Sequence, residues 1–308
     1  TTEGVDIIGE ADERFQTYLE KKDSENPWYI TTGFEELDDI VHGWAKGEEL
    51  VVLFARTGQG KSWVLAKTLA HARQIGNRVG YISPEMSATR IGYRFDTLFK
   101  NFSNRNLIWG KEEPDYPDYI EGLRKHENPF IVATPLDFQK KITITKLKNF
   151  VQTHKLDILG IDGITYLTDE RYKRGDNKTI TLTNISEDLI ALSMELGIPI
   201  IVVVQSNRSG VKDQDSDGTP ELESIRDSDG IAHNATKVLS LRQTGAGLEI
   251  GIKKHRDGAS GGKVIYYWDI DKGVFNYIPS GEDAVKPEMR QRKADEIKNS
   301  FQDGTDVF

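Results

Sequence analysis

The sequence predicts an α/β protein with a mostly parallel central sheet, helices on both faces and antiparallel hairpins at its C-terminal end. Three observations predict it. Short, almost wholly apolar runs alternate with helical patterns between residues 50 and 204. Those runs lack the polar alternation of a sheet with one wet face, so each reads as a strand covered on both sides. From Lys237 onward the style changes to short strands joined by Gly-rich turns, which read as hairpins extending the sheet.

The elements follow in order. Residues 1–28 read as an arm, because Ile7, Ile8, Phe15, Tyr18 and Leu19 recur near helical spacing inside a charged segment. Such a stripe is expected to pack on the main domain or to dock on a neighbouring subunit. Thr31 to Asp38 reads as a turn and a short capped helix, and Gly43 and Gly47 bracket the turn before the first strand, Leu50 to Phe54. Further strands are expected at Arg78 to Ile82, Phe130 to Ala133, Leu156 to Ile161 and Ile198 to Val204. Helices are expected from Trp63, up to about Trp109, across Tyr116 to Lys125, over Ile142 to His154, and over Ile180 to Leu196. That last helix puts Ile185, Leu189, Leu192 and Leu196 on one face. The hairpin strands are Val238 to Arg242, Leu248 to Lys254, Lys263 to Asp269 and Val274 to Ile278. Residues 280–308 are polar and charged and read as a disordered tail, which leaves residues 29–279 as the main domain. No internal repeat is visible.

Composition narrows the function classes. At 308 residues with 37% apolar and 29% charged residues, the chain is an ordinary globular one. No apolar run is long enough to span a membrane, and no secretory leader is visible at Thr1 to Asp6. Cysteine is absent, which excludes disulfides, thiolate catalysis and cysteine-based zinc sites. The net charge of −9 argues against a nucleic-acid coat, though not against a local basic groove.

The chemistry concentrates in Val51 to Ser62, where an apolar strand runs into Ala55-Arg56-Thr57-Gly58-Gln59-Gly60-Lys61-Ser62 and a helix opens at Trp63. Strand, Gly-containing loop and helix N-terminus aim successive amides at one point and favour an anion there. Arg56, Thr57, Gly58, Gln59, Gly60, Lys61, Ser62 and Trp63 are therefore expected to cradle nucleotide phosphates. Lys61 would reach the β- and γ-phosphates, and the Ser62 hydroxyl would ligate Mg²⁺. The generic motif has Gly where this chain has Ala55.

The polar tips of the other strands fall at the same end of a parallel sheet, where ligands bind. Asp162 is placed to serve Mg²⁺ and its waters, or simply to cap the following turn. Glu85 is placed to polarise an attacking water, or to stabilise a helix N-terminus. Gln205 is placed to sense the γ-phosphate, or is an ordinary hydrogen-bonded strand end. Lys254-His255-Arg256 suits a finger reaching a neighbour's γ-phosphate, and reads equally as a solvated basic turn. Arg171, Lys173, Arg174 and Lys178 lie in one loop that would track a nucleic-acid backbone or remain a solvated loop. The run Asp213 to Gly218 starts like a calcium loop, but Ser224 stands where the closing Glu belongs.

Taken together, these pieces resemble the RecA-like motor domain of DnaB-type hexameric replicative DNA helicases, including phage versions. Ala55 to Ser62 is similar to that family's phosphate loop, which itself begins Ala-Arg. Thr31-Thr32-Gly33-Phe34 with Leu37-Asp38 resembles the segment leading into its domain. Ser83-Pro84-Glu85-Met86-Ser87 resembles the segment with its catalytic glutamate, and Ile161-Asp162 its Walker B strand. Gln205-Ser206-Asn207-Arg208 resembles its glutamine sensor, and Pro220 to Ser228 the segment whose loop touches DNA. Lys254 to Gly258 resembles the segment with a lysine and the trans-acting arginine finger.

The resemblance covers roughly residues 29–278 in order. It implies an ATP-dependent (or other NTP-dependent), Mg²⁺-requiring motor moving 5′ to 3′ on single-stranded DNA as a homo-hexameric ring, with hydrolysis at subunit interfaces. It implies catalytic roles for Lys61, Glu85, Gln205, Lys254 and Arg256, and DNA contacts from Asn207, Arg208, Arg226 and Asp227 beside the 171–178 loop. A primase or helicase loader is a further partner in the family, and the expected setting is the cytoplasm of a bacterium or a phage-infected host. The chain departs from the family at Pro84, where Leu is usual, at Asp229, which takes a Gly place, and at Ala232, Asn234 and Thr236, which replace acids. The family's helical N-terminal domain has no counterpart here, and residues 1–28 resemble only its linker helix. Two other functions share many of these features: a RecA-like recombinase or regulatory ATPase, and a nucleotide-binding loader subunit that does not unwind. Lys254 and Arg256 together favour the helicase over the recombinase.

Overall fold

A computed structural model describes residues 4–23, 28–125, 128–206 and 229–279. The elements in chain order are α1 (Ala11–Asp23), β1 (Tyr29–Ile30), α2 (Glu35–Val41), β2 (Trp44–Ala45), β3 (Leu50–Ala55), α3 (Lys61–Gln74) and β4 (Val79–Ile82). Then come α4 (Ala88–Lys100), α5 (Asn104–Trp109), α6 (Tyr116–Leu123), β5 (Phe130–Ala133), α7 (Ile144–His154), β6 (Ile158–Ile161), α8 (Lys178–Leu196) and β7 (Ile200–Gln205). The chain closes with α9 (Asp229–Asn234), β8 (Lys237–Gln243), β9 (Leu248–His255), β10 (Lys263–Asp269) and β11 (Val274–Tyr277).

One nine-stranded sheet organises these elements, in the order β11-β10-β9-β8-β3-β7-β6-β4-β5. From β8 to β5 every pairing is parallel, and β8 to β11 are joined by antiparallel pairings. This is the predicted architecture. β3 shows why its strands are apolar throughout. Val51, Leu53 and Ala55 enter a core shared with α2, α3 and α4, while Leu50, Val52 and Phe54 enter the core under α7 and α8. All six are buried, and burying each large one contributes about 1.5–3 kcal/mol. The small β1–β2 ladder was not anticipated, since two-residue strands carry no periodic signal.

The helices start where local capping allows. Ser87, Ser103, Thr143 and Asn177 each accept a hydrogen bond from a first-turn amide of α4, α5, α7 and α8. The predicted face of α8 is present, with Ile185, Leu189 and Leu192 buried and Leu196 partly so. Helix α3 lies so close to β6 that a Cβ on Gly160 would sit 2.3 Å from Leu69 Cδ1. Gly160→Ala is therefore expected to cost about 1–3 kcal/mol by overpacking. Urea unfolding checks this, and an unchanged midpoint would contradict it.

Two titratable groups flank the Thr31-Thr32 turn with opposite pH linkage. Burial raises the Asp38 carboxyl from 3.8 to about 6, although the Thr32 amide donates to it at 2.8 Å. Burial, then the nearby Lys67 charge, lowers the His71 imidazole from 6.5 to about 4. Its Nε2 shares a 2.7 Å hydrogen bond with Thr31 Oγ1. Between 3.8 and about 6 the folded chain keeps the Asp38 proton that the unfolded chain releases, so this contribution falls as pH rises. Between about 4 and 6.5 the unfolded chain binds a proton that folded His71 excludes, so this contribution rises with pH. Each slope is at most about 1.4 kcal/mol per pH unit. Relative to wild type, Asp38→Asn is expected to lose more stability on acidification from 6.5 to about 4, and His71→Gln to lose less. Urea midpoints at the two ends of that window decide the signs, and parallel slopes in all three proteins would contradict them.

Of the arm's apolar stripe, Ile7 and Ile8 lie in the turn before α1, Phe15, Tyr18 and Leu19 lie on α1, and Leu19 is half-buried. Ile7, Ile8, Phe15 and Tyr18 are all exposed. No described helix is long and apolar enough to cross a membrane.

Candidate active site

Four adjacent parallel strands, β3, β7, β6 and β4, end at one edge of the sheet, and their C-terminal residues build a pocket of about 380 Å³. Thr57, Gly58, Gly60, Lys61, Ser62 and Trp63 line it from the loop and helix after β3. Glu85 lines it from beyond β4, Asp162 from beyond β6 and Gln205 from the end of β7. The structure thus brings together the residues expected from the strand tips.

The loop turns sharply before α3. Gly60 has φ 90°, and a Cβ there would lie 2.5 Å from the Trp268 ring, so both backbone and space require glycine. The Lys61 ammonium donates to the carbonyls of Ala55 at 3.0 Å and Arg56 at 2.8 Å. Burial lowers its proton affinity, and the Asp162 and Glu85 carboxylates oppose that. Gln59 leaves the cradle and accepts from the Gln243 amide at 2.6 Å, tying the loop to the end of β8. Arg56 is exposed.

Asp162 sits at the centre of the polar network. Ser62 Oγ donates to its Oδ1 at 2.9 Å, and the fully buried Tyr81 hydroxyl donates to its Oδ2 at 2.8 Å. Burial raises the Asp162 carboxyl above its ordinary range, while these two bonds and the Arg94 guanidinium pull it back. One carboxylate and one hydroxyl in contact form a hard-oxygen pair of the kind Mg²⁺ takes beside phosphate oxygens, so this donor set fits that ion. Glu85 stands on the turn between β4 and α4 and accepts a hydrogen bond from the Tyr166 hydroxyl. Gln205 Nε2 donates to Thr57 Oγ1 at 2.6 Å, linking the end of β7 to the loop.

Arg94 was not singled out in the sequence. It projects from α4 into the same pocket, with its guanidinium 4.9 Å from the centre of the Trp63 ring. Its buried Nη1 has no hydrogen-bond partner. That is an unsatisfied buried donor on a residue that lines the pocket. The available signal was weak, a basic residue bordering the apolar Ile91, Phe95 and Leu98 stripe of α4.

Other expected residues lie elsewhere. Strand β9 runs antiparallel to β8 and pairs His255 with Lys237, which in turn pairs with Val51 near the start of β3. Arg256 therefore lies at the opposite end of the sheet from the phosphate loop, separated by most of the length of β3, roughly 13 Å or more. Its guanidinium is exposed, and its amide donates to the Thr236 carbonyl at 2.9 Å. Lys254 is fastened within its own chain, donating to the carbonyls of Ala232 at 3.0 Å and His233 at 2.7 Å at the end of α9. Burial and the Arg256 charge both lower its proton affinity.

The 171–178 loop is locally folded. Asp169 accepts from the Arg171 amide and from Asn184, and Asp176 accepts from the Lys173 amide. The Arg171 guanidinium is engaged by Glu187 at 3.0 Å and Asp188 at 3.3 Å on α8, whereas Lys173, Arg174 and Lys178 are exposed. Asn207, Arg208, Arg226, Asp227 and the Asp213 to Gly218 run lie outside the described residues.

A phosphate loop on a mostly parallel sheet, with an acid at the tip of β6, two strands over, defines a P-loop ATPase fold of the RecA-like kind. The profile of the family described as DnaB-like helicase C terminal domain matches residues 29–275, and the chain belongs to that family. It is 30% identical over 217 residues to a replicative DNA helicase DnaB of Helicobacter pylori, an alignment covering 69% of this chain and 43% of the relative. It is 26% identical over 270 residues to a probable plasmid replicative DNA helicase of Chlamydia trachomatis, covering 85% of this chain and 58% of that one. The chain thus spans about half the length of these relatives. Among solved structures, one described as an ATPase domain superposes with TM-score 0.75 at 22% identity, covering 90% of this chain and 100% of the other. A DnaB-like replicative helicase, described with its interactions with primase, superposes with TM-score 0.72 at 20% identity, covering 90% and 68%. At these identities the two structures speak to the fold.

Proposed function

We propose that this chain is the ATP-hydrolysing motor of a ring-forming DnaB-like replicative helicase that moves along single-stranded DNA. One observation carries this reading: the nucleotide cradle and Arg256 occupy opposite ends of one sheet. A subunit built this way holds ATP at one end and offers an arginine at the other, so hydrolysis requires a second copy.

The residues divide the work accordingly. The loop amides and Lys61 bind and orient the phosphates. Ser62 and Asp162 would hold Mg²⁺, which when bound would neutralise charge on the phosphate oxygens. Glu85, oriented by Tyr166, accepts the proton of the attacking water. Gln205 reports the γ-phosphate through its bond to Thr57. Arg94 supplies a second cation to the cradle from the same subunit. Arg256 reaches the neighbour's γ-phosphate, with Lys254 holding the strand end that presents it. Lys173, Arg174 and Lys178 face DNA in the ring channel, where only the channel loops need meet phosphate despite a net charge of −9, and Asn207, Arg208, Arg226 and Asp227 are assigned as further DNA contacts. Arg171 braces that loop through its ion pairs to α8.

The same reading assigns residues 1–28 as an arm whose exposed apolar stripe docks on the adjacent subunit, residues 29–279 as the motor, and residues 280–308 as a tail. It places the protein in a bacterial or phage-infected cytoplasm, with primase or a loader as further partners. Strand displacement on a forked DNA duplex with ATP and Mg²⁺ tests the proposal. ATP-dependent unwinding is expected from the wild type and none from Glu85→Gln. ATP binding without unwinding in any assembled form would sink it in favour of a loader subunit.

A further inference from the structure

The end of the sheet away from the cradle holds a buried charged cluster that has no part in the nucleotide site. Glu49 lies immediately before β3 and is 2% exposed, while Lys237 opens β8 and is 5% exposed. Lys237 Nζ donates to Glu49 Oε2 at 2.6 Å and to the Gly43 carbonyl at 3.0 Å. The Ala45 amide donates to the same carboxylate oxygen at 2.9 Å. The Thr236 hydroxyl donates to Glu49 Oε1 and accepts from the Leu50 amide at 3.1 Å. These contacts fasten the starts of β3 and β8 to Gly43 and the end of β2. Taking two charges out of water is costly, and fixing one geometry is an attested use of a buried pair.

This cluster adjoins the end of β9. Lys237 stands opposite His255 in the β8–β9 register, and the Arg256 amide donates to the Thr236 carbonyl at 2.9 Å. The His255 ring is buried, and the following turn closes tightly on it, since a Cβ on Gly258 would lie 2.1 Å from its Nδ1. The backbone at Arg256 is therefore held by residues that lead directly to Glu49, while its guanidinium is left exposed. Thr236 is also one of the positions at which this chain departs from the acids usual in the resembled family.

We propose that Glu49, Thr236 and Lys237 are positioning residues for Arg256, setting the point from which one subunit reaches the nucleotide of the next. This rests on the trans-acting role of Arg256 proposed above. A finger acts only from the correct place, and a misplacement of about 1 Å can cost about a hundredfold in rate.

The test is basal ATP hydrolysis in mixed assemblies. Glu49→Gln/Lys237→Met removes both charges at once and avoids an orphaned buried ion. Alone, this variant is expected to lose about tenfold or more in kcat while KM for ATP stays within about threefold. Mixed with Lys61→Ala subunits, whose pockets are dead but whose Arg256 is intact, it is expected to recover activity. Mixed with Arg256→Ala subunits, it is expected to stay slow. Activity within about twofold of wild type would overturn the proposal, as would a loss that Lys61→Ala subunits do not restore. The control mixture is Arg256→Ala with Lys61→Ala. Recovery there, without recovery of the double variant, overturns the positioning role alone, whereas no recovery in the control overturns the trans role of Arg256 and the inference with it. If the double variant fails to fold, Thr236→Val and Thr236→Ser decide the matter. Val is expected to show the donor-side defect and Ser to restore activity, and equal activities would overturn the proposal.

Discussion

Lys61→Ala is expected to abolish useful ATP hydrolysis, lowering kcat/KM by about a hundredfold to a thousandfold, as removal of one preorganised donor from a phosphate or oxyanion site does. Lys61 opens α3, and its ammonium lies over the loop with Asp162 and Glu85 as its nearest opposing charges. Its position is set by the Gly60 turn and by the packing of α3 on β6, neither of which involves the ammonium. Alanine is a good helix former, so α3 is expected to persist. The two carbonyls that Lys61 now engages, Ala55 and Arg56, belong to a loop with access to water, so the fold should tolerate the loss. The checks are a steady-state ATPase assay, a fluorescent-nucleotide titration and a thermal melt. The expected pattern is lost turnover, weakened binding and a nearly unchanged Tm. Turnover within about threefold of wild type would contradict the cradle.

Arg256→Ala is expected to lower kcat by about a thousandfold or more while leaving ATP affinity nearly unchanged, the pattern of an arginine finger. The separation follows from geometry. The guanidinium is exposed and lies at the far end of the sheet from its own Lys61, so its removal leaves the local pocket intact. Its backbone amide bond to Thr236 survives in alanine. A parallel loss of ATP affinity in isolated subunits would mean that Arg256 supports its own pocket, contrary to the register that places it. Lys254→Ala is a different case, because its ammonium already serves the end of α9.

The features legible in the sequence share a physical cause. Strands buried on both faces must be apolar at every position, so β3, β4, β6 and β7 stood out as uninterrupted runs. The phosphate loop was legible because its chemistry needs Gly60, Lys61 and Ser62 side by side. The strand-tip residues Glu85, Asp162 and Gln205 followed once the sheet was recognised as parallel. What stayed hidden depends on contacts distant in sequence. Tyr81 lies in an apolar run, yet its hydroxyl reaches Asp162. Arg94 reads as one more basic residue until α4 is folded over Trp63. The ion pairs of Arg171 come from Glu187 and Asp188, a full loop and two helical turns away. The Glu49–Lys237 pair joins the starts of two strands that are neighbours in the sheet but lie almost the whole domain apart in sequence. The short ladder of β1 and β2 carries no period to detect.

On the proposed function, ATP hydrolysis in this chain serves movement along DNA in an assembly of its own copies. The most direct test is steady-state ATP hydrolysis by wild type and Arg256→Ala, each with and without single-stranded DNA. DNA is expected to stimulate the wild type, and Arg256→Ala is expected to be inactive in both conditions while still binding ATP. A wild-type rate indifferent to DNA, together with an Arg256→Ala rate equal to it, would rule out a DNA motor with a trans-acting Arg256.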